Sequence, residues 1–452
     1  MARPIPKLLL LISLAYLPGF RDLPAIASVQ PGQGPQMPPS ALTLIAVKVT
    51  GTKRYTQNDV VAASGLRMGT TVGEDDFKRA ARRLGDSGVF SDIAFSYSYS
   101  SAGTRLELQV TDADKFLPAR FEDFVWFTDG ELRQKLKEHI PLFNGDLPVA
   151  GRLPDEVSDV LQALLVEKGV PGHVNYLRYA REGGPIESIN YSVSDVLIRV
   201  RKVEFTGAST NELSLLEAAA QRLADREYSR SRISEFIKHQ LLPIYHARGY
   251  LKASFGPPQP HVVESSTADT TGEVRNQTFV DVALAVDSGQ QYTLSRLDWS
   301  GNREIPTETL QSLISAKPGQ PMNLVRLADG LQEVKTLYGA RGYINCSIKI
   351  DPQFDDAARV VAIRLEVNED NVYRMGELDF RGLDNSLTAK LRSAWKLRQG
   401  DVYDATYLKH YLPEANRLLP VNLDWGVSPH VTANVRDKTV DVDLQYTAKA
   451  PK

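Results

Sequence analysis

Short runs of alternating apolar and polar residues that end in glycine recur along the chain: Val47-Lys48-Val49-Thr50-Gly51, Val203-Glu204-Phe205-Thr206-Gly207, Leu297-Asp298-Trp299-Ser300-Gly301 and Leu378-Asp379-Phe380-Arg381-Gly382. In each, apolar side chains stand four and two positions before the glycine, the period of a strand with one buried face. A fifth copy is placed at Val125-Trp126-Phe127-Thr128, before Asp129-Gly130. The glycines recur about every 80 residues, the spacing of a tandem repeat. The longest interval, Gly207 to Gly301, holds the polar tract Gly256 to Gln277, which reads as an oversized loop.

Within each repeat the period then changes. Helical spacing follows the first strand: Ser209 and Glu212 have capping-box spacing ahead of Leu213, Leu216, Ala220 and Leu223. A second helix carries Phe77, Ala80, Ala81 and Leu84 in the first repeat, with Thr71 and Glu74 as its expected cap. In the fourth repeat the same stripe is Leu327, Leu331, Val334, Leu337 and Tyr338. Pro243 and Pro413 fall late in equivalent helices, where a kink or an early end is expected. Two strands close each repeat. The last alternates cleanly, as Leu106-x-Leu108-x-Val110, Val280 to Val286, Val361 to Val367 and Val440 to Tyr446. Turn glycines Gly69, Gly319 and Gly400 lie at one distance past the strand glycines, and a phrase recurs as Ala247-Arg248-Gly249-Tyr250 and Ala340-Arg341-Gly342-Tyr343. The pattern is an α+β array of five β-α-α-β-β units.

Residues 1–27 read as an export signal: Arg3 and Lys7, an apolar stretch from Leu8 to Leu17, and Ala25-Ile26-Ala27 as the small-x-small cleavage pattern. Residues 28–40, rich in Pro and Gly, read as a flexible leader. The expected units are then 41–114, 115–194, 195–288 with a polar hairpin insertion at 256–277, 289–370 and 371–448.

Composition removes several functions. Of 452 residues, 53 are basic and 55 acidic, so no basic excess exists to bind nucleic acid. The single cysteine, Cys346, excludes a disulfide framework and a cysteine-rich metal site. Mean hydropathy of -0.26 and the absence of long apolar runs exclude a polytopic helical membrane protein. The seven histidines lack the i, i+3 or i+4 spacing of helical ligands, and His239 and His246 read as solvated helix positions. No nucleophile elbow, phosphate loop or H-E-x-x-H sequence occurs. No catalytic residue, cofactor site or metal site is assigned, and the chain is read as a non-enzyme without a small-molecule substrate.

The strand-glycine openings, the turn glycines and the Ala-Arg-Gly-Tyr phrases, in five units behind a signal, resemble POTRA repeats. These are the polypeptide-transport-associated modules on the periplasmic side of outer-membrane-protein assembly pores of the surface-antigen type. The resemblance covers Ala41 to Ala448. It implies a three-stranded mixed sheet backed by two helices in each unit, and a periplasmic location associated with the outer membrane. It also implies unfolded outer-membrane proteins, an assembly barrel or assembly lipoproteins as partners. The sequence ends soon after the fifth unit, so no barrel is expected within it.

Such sheets have open edges, and an extended polypeptide can add to one as a further strand. The resemblance places the open edge on the first strand of each closing hairpin. The candidate residues are Ile93, Phe95, Tyr97 and Tyr99; Leu251 and Phe255; and Ile344, Cys346 and Ile348. Cys346 alternates with Ile344 and Ile348 and reads as a small core residue. Ordinary inward packing of the aromatic residues is the competing reading of each strand. A structural envelope or cell-division scaffold is the competing function.

Overall fold

Apolar alternation gathers each sheet around its last strand. In the computed structural model, which describes residues 39–181, 183–266, 276–421 and 423–449, five sheets follow one another along the chain, each with its own helices. The signal segment, nearly all of the leader and the middle of the polar tract lie outside the described residues. The chain divides into two compact units, Met1–Asp112 and Ala113–Lys452.

The first unit holds β1 (Leu44–Thr50), α1 (Gln57–Ser64), α2 (Glu74–Asp86), β2 (Phe90–Ser100) and β3 (Gly103–Asp112). The sheet order is β1-β3-β2, with β1 parallel and β2 antiparallel to the central β3. Leu106, Leu108 and Val110 of β3 and Phe77, Ala80 and Leu84 of α2 are all buried, each large side chain contributing about 1.5 to 3 kcal/mol. The expected Thr71 and Glu74 cap is not formed. Thr71 bridges to Thr43 instead, and the Gly73 amide donates to Asp76 Oδ2 at 2.8 Å as the true cap of α2.

The second unit repeats this plan four times. Its first sheet comprises β4 (Phe116–Phe121), α3 (Asp129–His139), β5 (Asp146–Pro148), α4 (Leu153–Glu167), β6 (His173–Ala180) and β7 (Ile186–Ser194), in strand order β5-β4-β7-β6. The opening strand is therefore not Val125 to Thr128. Those residues form a turn, with Thr128 capping α3 and Val125 buried in the next module's core. Leu117, Ala119 and Phe121 supply the strand's buried face.

The third module comprises β8 (Leu197–Thr206), α5 (Thr210–Ala220), α6 (Arg230–Phe236), a π turn (Ile237–Leu241), α7 (Leu242–His246), β9 (Ser254–Phe255), β10 (Gln259–Ser266) and β11 (Gln277–Asp287). Of the Ser209–Glu212 capping box one half forms: the Glu212 carboxylate accepts from the Ser209 amide at 3.1 Å, while the Ser209 side chain makes no cap bond. Pro243 sits at the start of α7, directly after the π turn, where its missing amide breaks the α-helical ladder. Residues 259–266 pair with β11 as a strand, so the polar tract is not simply a loop.

The fourth module comprises β12 (Thr293–Ser300), α8 (Thr307–Leu313), α9 (Leu324–Gly339), β13 (Ser347–Asp355) and β14 (Val360–Asn368). The fifth comprises β15 (Arg374–Arg381), α10 (Asn385–Ala394), α11 (Tyr407–Asn416), β16 (Asp424–Asn434) and β17 (Thr439–Lys449). Both have the order first-third-second. Pro413 lies inside α11, which continues to Asn416.

The strand glycines answer a close approach. Gly301 has φ +80°, and a Cβ there would stand 2.1 Å from the Val367 carbonyl oxygen of the central strand; at Gly51, Gly207 and Gly382 the figures are 2.0, 2.4 and 2.0 Å. The recurring Arg-Gly-Tyr phrase makes joints between modules of the second unit. Gly249 accepts from the Tyr292 amide and Gly342 from the Tyr373 amide, both at 2.8 Å, so each glycine sits on the first residues of the next sheet.

The joint after the second module is built differently. The Glu122 carbonyl accepts from the Arg230 amide at 2.8 Å, and its carboxylate accepts from the Ser231 amide and hydroxyl at 2.9 and 2.8 Å. Beside it, burial pushes the Asp123 carboxyl up to about 7. Its Oδ1 accepts from the Val193 amide at 2.9 Å. A carboxyl whose pKa is raised on folding binds its proton more tightly in the folded state, so its contribution to stability is present at low pH and falls as pH rises toward 7. Asp123→Asn, which keeps the acceptor, is expected to flatten the fall in melting temperature between pH 5 and pH 8 relative to the unsubstituted chain. Parallel pH profiles of the two proteins would refute this assignment.

Candidate functional site

In each of the five sheets one border is closed. The Gly69 amide donates to the Leu44 carbonyl, Gly319 to Leu294 and Gly400 to Met375, all at 2.8 Å, and in the third module Asp225 donates to Val200 at 2.9 Å. The interhelical loop is thereby strapped along the start of the first strand. The turn glycines take φ of +79°, +83° and +88°, and Asp225 takes +59°, because the strap bends through the left-handed region. In the second module β5 performs this function as a three-residue strand on β4. The opposite border, the first strand of the closing hairpin, pairs on one side only in every sheet.

Ile93, Phe95, Tyr97 and Tyr99 all lie on such a border, in β2. Their side chains turn toward the helices: the Phe77 ring lies 5.0 Å from Tyr97 and 6.2 Å from Phe95, and the Tyr97 hydroxyl donates to Glu74 Oε2 at 3.2 Å. The aromatics thus pack inward, as the competing reading had it, while the backbone remains open. A two-residue turn, Ser101-Ala102, closes on the Ser100–Gly103 pair. Such a turn closes on a doubly hydrogen-bonded pair, and alternate pairs after it direct their amides and carbonyls away from the partner. Counting back along β2, the residues whose main-chain groups face outward are Tyr99, Tyr97, Phe95 and Ile93.

The other candidates are only partly on an edge. Ile348 is in β13 and Phe255 in the short β9. Leu251, Ile344 and Cys346 precede the strands. Leu251 packs against the fourth core and Ile344 against the fifth, so their apolar alternation reflects the joints, not a ladder. Cys346 is a half-buried packing residue as read, outside a strand; burial pushes its thiol up to about 11, which disfavours the reactive thiolate.

Three of the open borders carry prolines. Pro260 lies in β10, Pro352 in β13 and Pro429 in β16. Pro352 pairs with Ile363, three residues before the Asp355–Val360 pair that closes the hairpin, so its nitrogen faces the open border; Pro429, opposite Leu444, falls on the same parity from Asn434–Thr439. Each removes an outward donor and projects a ring where an incoming chain would lie. Pro257-Pro258 also separates β9 from β10. Strands β2 and β6 contain no proline. They are the two proline-free borders; on β6 the outward amide of Val174 is taken by Gln162 Oε1 at 2.8 Å, and further along the strand Leu177 and Tyr179 are 75% and 48% exposed. The signal for β6, a proline-free alternating run, was legible; it was missed because the second module was anchored at the wrong opening strand.

Among the described residues no group of three His, Cys, Asp or Glu side chains is arranged to hold a metal, and no helix is long and apolar enough to cross a membrane. His239 is exposed and paired with Glu235 at 2.9 Å, but His246 is half-buried and its pKa is lowered by burial, unlike the solvated position expected.

The family model for POTRA, described as a surface antigen variable number repeat, matches residues 292–370, the span of the fourth module. This module is a POTRA repeat. A Treponema pallidum (strain Nichols) protein named as an outer membrane protein assembly factor is 26% identical over 159 residues, 35% of this chain and 18% of the relative. The outer membrane protein assembly factor BamA of Buchnera aphidicola is 19% identical over 368 residues, 79% of this chain and 57% of the relative. The chain thus spans about a fifth and somewhat over half of these relatives' lengths. Among solved structures, POTRA3-5 of Haemophilus influenzae BamA aligns with 55% of this chain and 95% of its own length, at 21% identity and TM-score 0.41.

Proposed function

We propose that this chain, whose fourth module is a POTRA repeat, is a non-catalytic periplasmic protein that receives extended segments of outer-membrane proteins by strand addition, principally at β2 and β6. The observation that carries the reading is the asymmetry of the sheets. One border is strapped in every module, while the other is open and proline-free only in the first two. Main-chain hydrogen bonds at an open border give affinity with little demand on sequence, as a carrier of varied clients needs. Two such borders in one chain raise the effective concentration of a client's second segment once the first is held. The names of the relatives support outer-membrane assembly as the setting.

The test uses the full chain and a ten-residue alternating peptide of the kind that forms a membrane β-strand. Methylating alternate backbone nitrogens on one edge of the peptide leaves its side chains unchanged and removes its main-chain donors. Binding is expected to weaken by at least about tenfold, or 1.4 kcal/mol. Equal affinity for both peptides would overturn strand addition.

A further inference from the structure

A second binding feature lies where the second and third modules meet, within the second unit. A cavity of about 760 Å³ runs along β4, walled by α3, the β6–β7 hairpin and α6 with its π turn. This is in the range of a site that holds several side chains. Its charges are unequally satisfied. Every lining carboxylate has a partner: Glu122 has Ser231 and Asn190, Asp129 has Arg230 at 2.6 Å, Glu187 has Arg181 at 3.3 Å, and Glu235 has His239 at 2.9 Å. The lining cations Arg120, Arg133 and Lys238 have no hydrogen bond or ion pair among the described residues, and the Arg230 Nε is buried without a partner. The lining counts five cations against four carboxylates, a surplus of one positive charge, and its unpaired guanidinium donors match carboxylates in geometry.

The rim is apolar. Arg120 and Leu177 both pair with Asn190 across β7, one from each side, so a free guanidinium and a largely exposed leucine occupy one row of the sheet's open face. Tyr179, half-exposed, lies one pair further along and lines the cavity. Phosphate or a lone carboxylate would use the cations and leave this rim uncovered.

We propose that the cavity is a docking site for an acidic peptide segment of a partner protein, its carboxylates on Arg120, Arg133 and Lys238 and an apolar side chain on Leu177 and Tyr179. The contacts are made by side chains, so the proposal goes beyond strand addition and does not rest on it.

The test titrates the full chain with a labelled peptide of repeated Glu-Leu-Pro-Asp, whose prolines prevent it from adding as a strand. Replacing its acids by amides is expected to weaken binding by at least about tenfold. The double variant Arg120→Glu/Lys238→Glu, two exposed positions, is expected to do the same, with hydrogen exchange confirming an intact fold. Tyr179→Ser is expected to weaken binding by a smaller factor. Equal affinity for acidic and amide peptides, or an unchanged double variant, overturns the proposal. So does a charge-dependent signal that appears only with phosphatidylglycerol vesicles, which would assign the patch to a lipid surface.

Discussion

Gly301→Ala will melt the fourth module more than about 10 °C below the unsubstituted chain, as a loss of about 3 kcal/mol does in a domain of this size. Two effects combine. An alanine at φ +80° sits in a region L-residues avoid, and its Cβ would lie 2.1 Å from a backbone carbonyl that belongs to the central strand and cannot rotate away. Gly319→Ala separates them. Its φ is +83°, with no atom within 4 Å of an added Cβ, so only the conformational strain of about 1 kcal/mol applies. Trp299 of β12, packed on the fourth core, reports the transition by its fluorescence. Similar melting of the two variants would show that the strand-glycine contact is not what holds the first and last strands together.

Tyr97→Pro and Arg178→Pro, the latter on the same parity as Val174, whose amide turns away from β7 to Gln162 Oε1, will together lower affinity for an alternating client peptide by at least about tenfold. Tyr97 lies on β2 with its amide facing outward, so its loss leaves the pairing to β3 in place. The Tyr97 ring also packs on Phe77, so a control is needed: Tyr97→Ala removes the ring and keeps the donor, and its affinity should stay close to that of the unsubstituted chain. The converse is Pro352→Thr, which restores a donor at the middle of β13 and is expected to add a binding border at the fourth module, next to the exposed Ile350 and Phe354. A double proline variant that binds normally, with β3 exchange unaltered, contradicts the assignment of β2 and β6.

Much of this architecture was legible because its constraints are local. The central strands alternate without interruption, since one face is sealed by helices and the other is open. The strand glycines recur because a backbone carbonyl stands where Cβ would be. Other features depend on partners distant in sequence. Leu251 and Ile344 look like alternating strand residues, yet each is buried by the following module. The opening strand of the second module, Phe116–Phe121, lacks the glycine signature, and the apolar Val125, buried in the third core, imitates it. Thr71 and Glu74 have cap spacing, but Thr71 is held to Thr43 by the strap. The basic cavity on β4 was illegible for the same reason: its cations come from Arg120, Arg133 and Lys238, on three elements and two modules.

The most direct measurement is backbone hydrogen exchange of the full chain with and without a saturating alternating peptide. The expected result is new protection at Ile93, Phe95, Tyr97 and Tyr99 and along His173–Ala180, with β13 and β16 exchanging as before. Protection spread evenly over all five hairpins, or confined to helices and joints, would contradict it.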